Sequence, residues 1–338
     1  MTAPPHPSDR THATPRCPAA DPPAAGGRLA VVGIGPGALD LLTPRARAAI
    51  RAADSLIGHG RYLQLIAPLV RNQQVLRRGM TEELARARLA ADLAGAGQRV
   101  ALISSGDSGI YGMASLTYQV LFQQGWHPGA DPVVEVIPGI SALNACAALV
   151  GAPLGHDFCA ISLSDLLTPW PVIARRLAAA AAADFVIALY NPASGRRTRQ
   201  LPEAGRLLRC YRPGHTPVAL VQGAYRPDQQ VSLTTLDALD RHPVGMTTSV
   251  LIGNRQTQVR DGLLITPRGY TDRYALDTGA PFPGETGGQS RADGLAGWQA
   301  AVRASGQDAT SLAHTWELPV DYLAAVLEEA RQDAVSGD

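Results

Sequence analysis

Past the first 27 residues, which show no periodicity, apolar and polar positions alternate between two patterns. Short apolar runs at Leu29–Gly33, Ser55–Ile57, Val100–Ile103 and Val133–Ile137, bounded by glycine, proline and small polar residues, read as buried strands. Between them apolar residues recur at three- and four-residue spacing. Met113, Leu116, Thr117, Val120 and Leu121 predict a helix over 113–124. Thr43-Pro44 predicts a helix start, with threonine as cap and proline in the first position, and Thr81-Glu82-Glu83 opens another helix to about Ala96. Arg77-Arg78 closes a short strand, and a small-residue helix is expected from Ser141 to Val150. Strand–helix alternation of this kind is the pattern of an α/β fold.

The pattern restarts near Gly151–Asp157, which sets an N-terminal α/β domain at 28–152 and a C-terminal α/β domain at 153–272. Strands are predicted at Phe158–Leu163, Phe185–Tyr190 and Pro217–Gln222, with a helix over 169–183. Gln229–Leu233, Ser249–Gly253 and Leu263–Ile265 complete a second sheet, partly antiparallel because the connecting turns are short. Residues 1–27 read as a disordered tail. Residues 273–338 read as a linker, rich in Gly and Pro over Gly279–Gly288, and two helices, Gly294–Ala304 and Val320–Ala334.

Composition narrows the function classes. The 338 residues are 46% hydrophobic and 17% charged, enough apolar mass for one large or two medium domains. A net charge of +1 gives no reason to expect a nucleic-acid partner. Cys17, Cys146, Cys159 and Cys210 have no CxxC spacing, so neither a metal site nor a disulfide framework is expected, and a reducing, cytoplasmic setting fits. The sequence contains no lysine, which excludes a Walker-type phosphate loop and lysine Schiff-base chemistry. No apolar run approaches the roughly 18 residues of a membrane span, and residues 1–27 have no signal-peptide pattern.

The chemistry-bearing residues gather where predicted strands end and helices begin, the place where open α/β sheets bind ligands. Ser104-Ser105-Gly106-Asp107-Ser108-Gly109-Ile110-Tyr111-Gly112 carries a carboxylate where a phosphate cradle would carry a cation. Such a loop suits a ligand with hydroxyls, an amine or a positive centre; the alternative is a tight turn with Asp107 as a helix cap. Gly33-Ile34-Gly35-Pro36-Gly37-Ala38 fits the loose dinucleotide pattern and keeps a nicotinamide oxidoreductase in view. Against that, Pro36 lacks an amide donor, and Asp54, the acid about 20 residues on, precedes the second strand instead of ending it. Gly58-His59-Gly60-Arg61-Tyr62 and Pro138-Gly139-Ile140-Ser141-Ala142 end two further strands. His59 either bonds a neighbouring backbone group or takes part in chemistry, and Ser141 either caps its helix or faces the same ligand.

In order and spacing these turns resemble the tetrapyrrole methylases, S-adenosylmethionine-dependent enzymes that methylate the macrocycle on the way to vitamin B12. The resemblance covers about residues 28–270. Ser164–Trp170, Leu189-Tyr190-Asn191-Pro192 with Ser194-Gly195-Arg196-Arg197, and Met246-Thr247-Thr248 are similar to the branch that methylates C17 of precorrin-3B and contracts the ring to precorrin-4. The resemblance implies two αβα domains of the class III methyltransferase type with a ligand cleft between them, and a homodimer. Carried over, Ser105, Gly106 and Asp107 would hold the amino-acid or ribose part of the donor, and Ile110, Tyr111, Ser141 and Ala142 its near side. Tyr190, Asn191, Gly223, Thr247 and Thr248 would hold the adenine, with Pro36 on the border towards the macrocycle and Gly35 on the substrate side. S-adenosylhomocysteine would be the spent donor.

Ring contraction implies a base, for which His59 is the first choice and Asp165 the second. The substrate's carboxylates imply arginine forks, with Arg61, Arg77, Arg196 and Arg197 as candidates. Two departures stand out. Some relatives are assigned a lysine proton donor that this chain lacks, and residues 211–338 have no cysteine to hold an iron–sulfur cluster. Other readings are another precorrin or cobalt-precorrin methyltransferase, a nicotinamide oxidoreductase, and a non-catalytic tetrapyrrole-binding protein.

Overall fold

A computed structural model describes residues 26–336 apart from Met80 and Ala292. The tail expected at 1–27 thus lies outside the described residues except for Gly26 and Gly27, and the Gly27 carbonyl accepts from the Val133 amide. From there the chain runs β1 (Arg28–Gly33), α1 (Pro44–Ala52), β2 (Ser55–His59), α2 (Gly60–Leu65), β3 (Gln74–Arg78), α3 (Glu83–Gly95), β4 (Arg99–Ser104), α4 (Ala114–Gln123), β5 (Val133–Ile137) and α5 (Ala142–Val150). The five strands form a parallel sheet in the order β3-β2-β4-β1-β5.

The inner strands β1, β2 and β4 are apolar on both faces, as a sheet covered on both sides requires. Thr43 accepts the Ala46 amide and so starts α1. Ala46, Ile50 and Leu63 from α1 and α2 cover one face, and Ala87, Ala90, Val120 and Leu121 from α3 and α4 cover the other. The crossovers that leave β1 and β4 run in opposite directions along the sheet. Those adjacent strands are therefore its switch point, and their carboxyl ends frame a crevice.

The chain continues through β6 (Gly151–Ala152), β7 (Phe158–Ser162), α6 (Trp170–Ala182), β8 (Val186–Tyr190), α7 (Gln200–Leu208), β9 (Pro217–Gln222), β10 (Gln230–Thr235), β11 (Thr248–Ile252), β12 (Gln258–Arg260) and β13 (Leu263–Ile265). The second sheet has the order β10-β9-β11-β8-β7, with β7 and β8 parallel and the other neighbours antiparallel. One strand departs from expectation. Leu263–Ile265 does not join this sheet, because Asp261 and Gly262, both at positive φ, make a two-residue hairpin turn that folds β13 back onto β12. β13 then pairs with β6, giving a separate three-stranded sheet.

Although α5 follows a strand of the first sheet, it packs Leu143, Cys146, Ala147 and Val150 against Ala188, Ala219, Val221 and Leu251 of the second. The two sheets are joined through that helix into one unit, which ends at Thr266. A second unit begins at Pro267. Among its described residues it holds three α-helices where the sequence pattern indicates two: α8 (Leu295–Ala304), α9 (Ala309–Trp316) and α10 (Val320–Ser336). The unexpected α9 is only eight residues long, three of them serine or threonine. Its signal is Asp308, whose carboxylate accepts the Ser311 amide at 2.8 Å. Val302, Leu312, Leu323 and Val326 form this unit's core. Among the described residues no helix is long and apolar enough to cross a membrane.

Candidate active site

Three backbone turns meet at the carboxyl ends of β1, β4 and β5. The Gly35 amide donates to the Gly106 carbonyl at 3.0 Å, and the Gly106 amide donates back to Gly35 at 2.8 Å. The amides that a dinucleotide pyrophosphate needs are thus engaged with each other, and Pro36 has none. Asp54 sits at the amino end of β2, where it accepts from the backbone and guanidinium of Arg99; those bonds hold its carboxyl below the usual range. Its position and its partner both argue against a ribose contact and against the nicotinamide alternative.

Asp107 is a brace between turns rather than a helix cap. Oδ1 accepts the Gly109 amide at 2.7 Å and Oδ2 accepts the Gly139 amide at 3.0 Å, joining the loop after β4 to the loop after β5. Ser141 caps α5 by accepting from the Asn144 amide. Two tyrosines then cross between the halves. The Tyr111 hydroxyl donates to the Ala160 carbonyl at 2.9 Å, and the Tyr190 hydroxyl accepts the Leu143 amide at 2.9 Å, with ring centroids 5.0 Å apart. Burial pushes both phenols up, so they remain protonated. Tyr190→Phe leaves the Leu143 amide without this acceptor and is expected to lower stability by about 1 kcal/mol. Thermal denaturation checks this, and an unchanged midpoint would show the bond to be idle.

These turns wall a recess of about 190 Å³. Pro36, Ser105, Gly106, Asp107, Ile110, Tyr111, Ser141 and Ala142 come from the first half, and Tyr190, Asn191, Gly223, Thr247 and Thr248 from the second. A second recess, about 420 Å³, shares Arg61, Met246 and Thr247 with the first and continues along Ser194, Gly195 and Val244. The wall also includes Tyr62, Cys146, Ala224, Arg226 and Ser249, which the sequence does not single out. Cys146 lies one helical turn beyond Ala142, a spacing that places it on the same face. Burial pushes its thiol up to about 11, so it is neither ionised nor reactive at neutral pH.

Other site residues expected from sequence lie elsewhere. His59 is the N-cap of α2 and outside both recess walls; its Nδ1 accepts the Arg61 amide at 3.3 Å. Burial, then the charges of Arg86 and Arg61, lower its pKa and keep the ring neutral. A neutral ring accepting at Nδ1 carries its proton on Nε2, so the lone pair a base requires is occupied. Asp165 is exposed, accepts from the Gln200 amide group at 2.8 Å and walls neither recess. Arg77 and Arg196 are exposed and wall neither recess. Arg197 donates to the Asn191 carbonyl at 2.8 Å and to Ser164 Oγ at 3.3 Å, shaping the turn after β8. Gly35 contributes buried backbone, and of the four arginines only Arg61 walls the recesses.

Residues 28–240 match the family described as tetrapyrrole (corrin/porphyrin) methylases. The chain belongs to this family. This tetrapyrrole methylase is 53% identical over 251 residues to a cobalt-factor III methyltransferase of Priestia megaterium, an overlap of 74% of this chain and 46% of that protein. It is 49% identical over 243 residues to a probable cobalt-factor III C(17)-methyltransferase of Salmonella typhimurium, covering 72% and 99%. A precorrin-3B C(17)-methyltransferase of a Sinorhizobium species is 43% identical over 252 residues, covering 72% and 97%. The methylase thus spans less than half of the first relative and nearly all of the other two.

Among solved structures, the methyltransferase CobJ is 36% identical with a TM-score of 0.66, covering 72% of this chain and 100% of that one. A uroporphyrin-III C-methyl transferase from Thermus thermophilus, complexed with S-adenyl homocysteine, is 25% identical with a TM-score of 0.53, covering 67% and 97%. The α/β architecture of the methylase is the architecture of these neighbours.

Proposed function

We propose that this methylase transfers the methyl group of S-adenosylmethionine to C17 of a corrin precursor and contracts the macrocycle. The observation that carries the reading is the near-full-length match to two C(17)-methyltransferases. The two relatives of higher identity are named for cobalt-factor III, which favours the cobalt-loaded substrate. The Sinorhizobium relative supports the cobalt-free substrate, precorrin-3B, as a second reading.

The smaller recess fits the donor's chemistry. Ser105 and Thr247 offer hydroxyls, the Asp107 carboxylate offers charge to a sulfonium or ammonium, and Ile110, Ala142 and the Tyr111 and Tyr190 rings offer apolar surface. S-adenosylmethionine supplies the methyl group when bound. The larger recess takes the macrocycle, and Arg61 at the join presents a fork to one of its carboxylates. Holding the two reactants in line can supply up to roughly 7–11 kcal/mol of the barrier reduction. The protonated Cys146 thiol does not compete as a methyl acceptor.

Tyr62 walls the smaller recess beside Arg61. Burial outweighs the nearby charges and pushes its phenol up, so the side chain stays neutral. His59→Asn keeps a side chain able to cap α2 and is expected to hold turnover within about threefold. A loss of 100-fold or more would restore His59 as the base.

The reading is tested by incubating the protein with S-adenosylmethionine and either cobalt-factor III or precorrin-3B and weighing the product. A gain of one methyl group is expected, and the substrate that reacts decides the metal question. No gain with either would overturn the proposal. The family resemblance also supports a homodimer, which light scattering reads directly; a monomer mass would refute it.

A further inference from the structure

Between β9 and β10 the chain folds tightly on itself. The Arg226 amide donates to the Gly223 carbonyl at 2.9 Å, the Gln229 amide donates to the Arg226 carbonyl at 3.0 Å, and the Tyr225 amide donates to Gln229 Oε1 at 2.7 Å. The Gly223 amide is tied to the Thr247 carbonyl, just before β11, at 3.1 Å. Tyr225 is held at φ 57°, a conformation that a residue with a side chain keeps only where its surroundings impose it. This strained and self-bonded loop aims one side chain out of the second half of the unit and into the first. Arg226 Nε donates to the Pro36 carbonyl at 2.7 Å, and Nη2 donates to Ser105 Oγ at 3.3 Å.

Gly37 leaves room for that crossing, since a Cβ there would stand 3.1 Å from Arg226 Nε. Both acceptors are neutral, and among the described residues no carboxylate pairs with this guanidinium. Arg226, Pro36 and Ser105 all wall the smaller recess.

We propose that Arg226 is a positioning residue, one guanidinium that sets the Pro36 turn and the Ser105 turn at fixed places relative to each other and to the second sheet. The proposal rests on the methyl-transfer reading above. It explains why a strained loop is kept at the edge of the recess, and it assigns Arg226 an effect on rate without contact to the reacting atoms. In-line transfer is sensitive to such placement, because a shift of about 1 Å can cost about 100-fold in rate.

The test compares parent, Arg226→Gln and Arg226→Lys for S-adenosylmethionine affinity by calorimetry, kcat and KM for the tetrapyrrole that the parent turns over, and melting temperature. Arg226→Gln is expected to lower kcat at least about tenfold, and by a larger factor than it raises KM for the tetrapyrrole. Arg226→Lys keeps the charge but cannot make both contacts, so its kcat is expected between those of the parent and Arg226→Gln. A raised KM with unchanged kcat would make Arg226 a substrate ligand and overturn the proposal. So would unchanged kcat in Arg226→Gln, with or without a lowered melting temperature. If Arg226→Gln does not fold, Arg226→Lys with parental kcat overturns it and a reduced kcat supports it. A parent that fails to bind S-adenosylmethionine would instead refute the methyl-transfer reading, so the two failures are distinguishable.

Discussion

Replacing Gly139 with alanine is expected to lower the melting temperature by roughly 6–12 °C and to abolish donor binding. A Cβ at this position would lie 2.3 Å from the Gly106 carbonyl oxygen and 2.7 Å from the Gly33 carbonyl group. All these atoms are backbone, so no side-chain rotation relieves the clash and the turns after β1, β4 and β5 must separate. Overpacking of this kind costs typically 1–3 kcal/mol and sometimes more, and the rigid neighbours place Gly139 at the upper end. Separation also breaks the Asp107–Gly139 bond and opens the wall formed by Ser105, Gly106 and Asp107. A Gly139→Ala protein with parental melting temperature and donor affinity would show that the three turns do not pack as described.

The second large effect is expected at Asp107. Asp107→Ala removes the acceptor for two amides on different loops together with the one carboxylate on the recess wall. Hydrogen bonds to a charged group contribute about 1.5–3 kcal/mol, so S-adenosylmethionine affinity is expected to fall roughly 10–100-fold. Asp107→Asn separates the two contributions. It retains one acceptor oxygen and the side-chain shape, and loses the charge proposed to attract the sulfonium. Its affinity is expected between those of Asp107→Ala and the parent. Titration calorimetry checks both variants; parental affinity in Asp107→Asn would show that charge plays no part, and parental affinity in Asp107→Ala would remove the residue from the site.

How much of this was legible in the sequence depended on the range of the interaction. The strands β1 and β4 announce themselves because parallel strands buried on both faces must be apolar throughout, as Leu29–Gly33 and Val100–Ile103 are. The turns at their carboxyl ends are readable because glycines, Asp107 and Ser141 have few other reasons to stand there. Those turns do converge on one recess. Direction was not legible. The sequence places His59 at a strand end but does not say that its Nδ1 faces the Arg61 amide, nor that Asp165 faces Gln200. Leu263–Ile265 reads as a strand, but its partner was set by the Asp261-Gly262 turn and by β6, far away in the chain. Arg226 gave no local signal, because its contacts with Pro36 and Ser105 span 190 and 121 residues.

Methyl transfer as proposed requires a donor seat built jointly by the turns of both sheets. A crystal structure of the protein with S-adenosylhomocysteine tests it most directly. The molecule is expected in the recess, touching Ser105–Asp107 and Ser141–Ala142 on one side and Tyr190–Asn191 and Thr247 on the other. A molecule bound elsewhere, or contacts confined to the turns of one sheet, would contradict it.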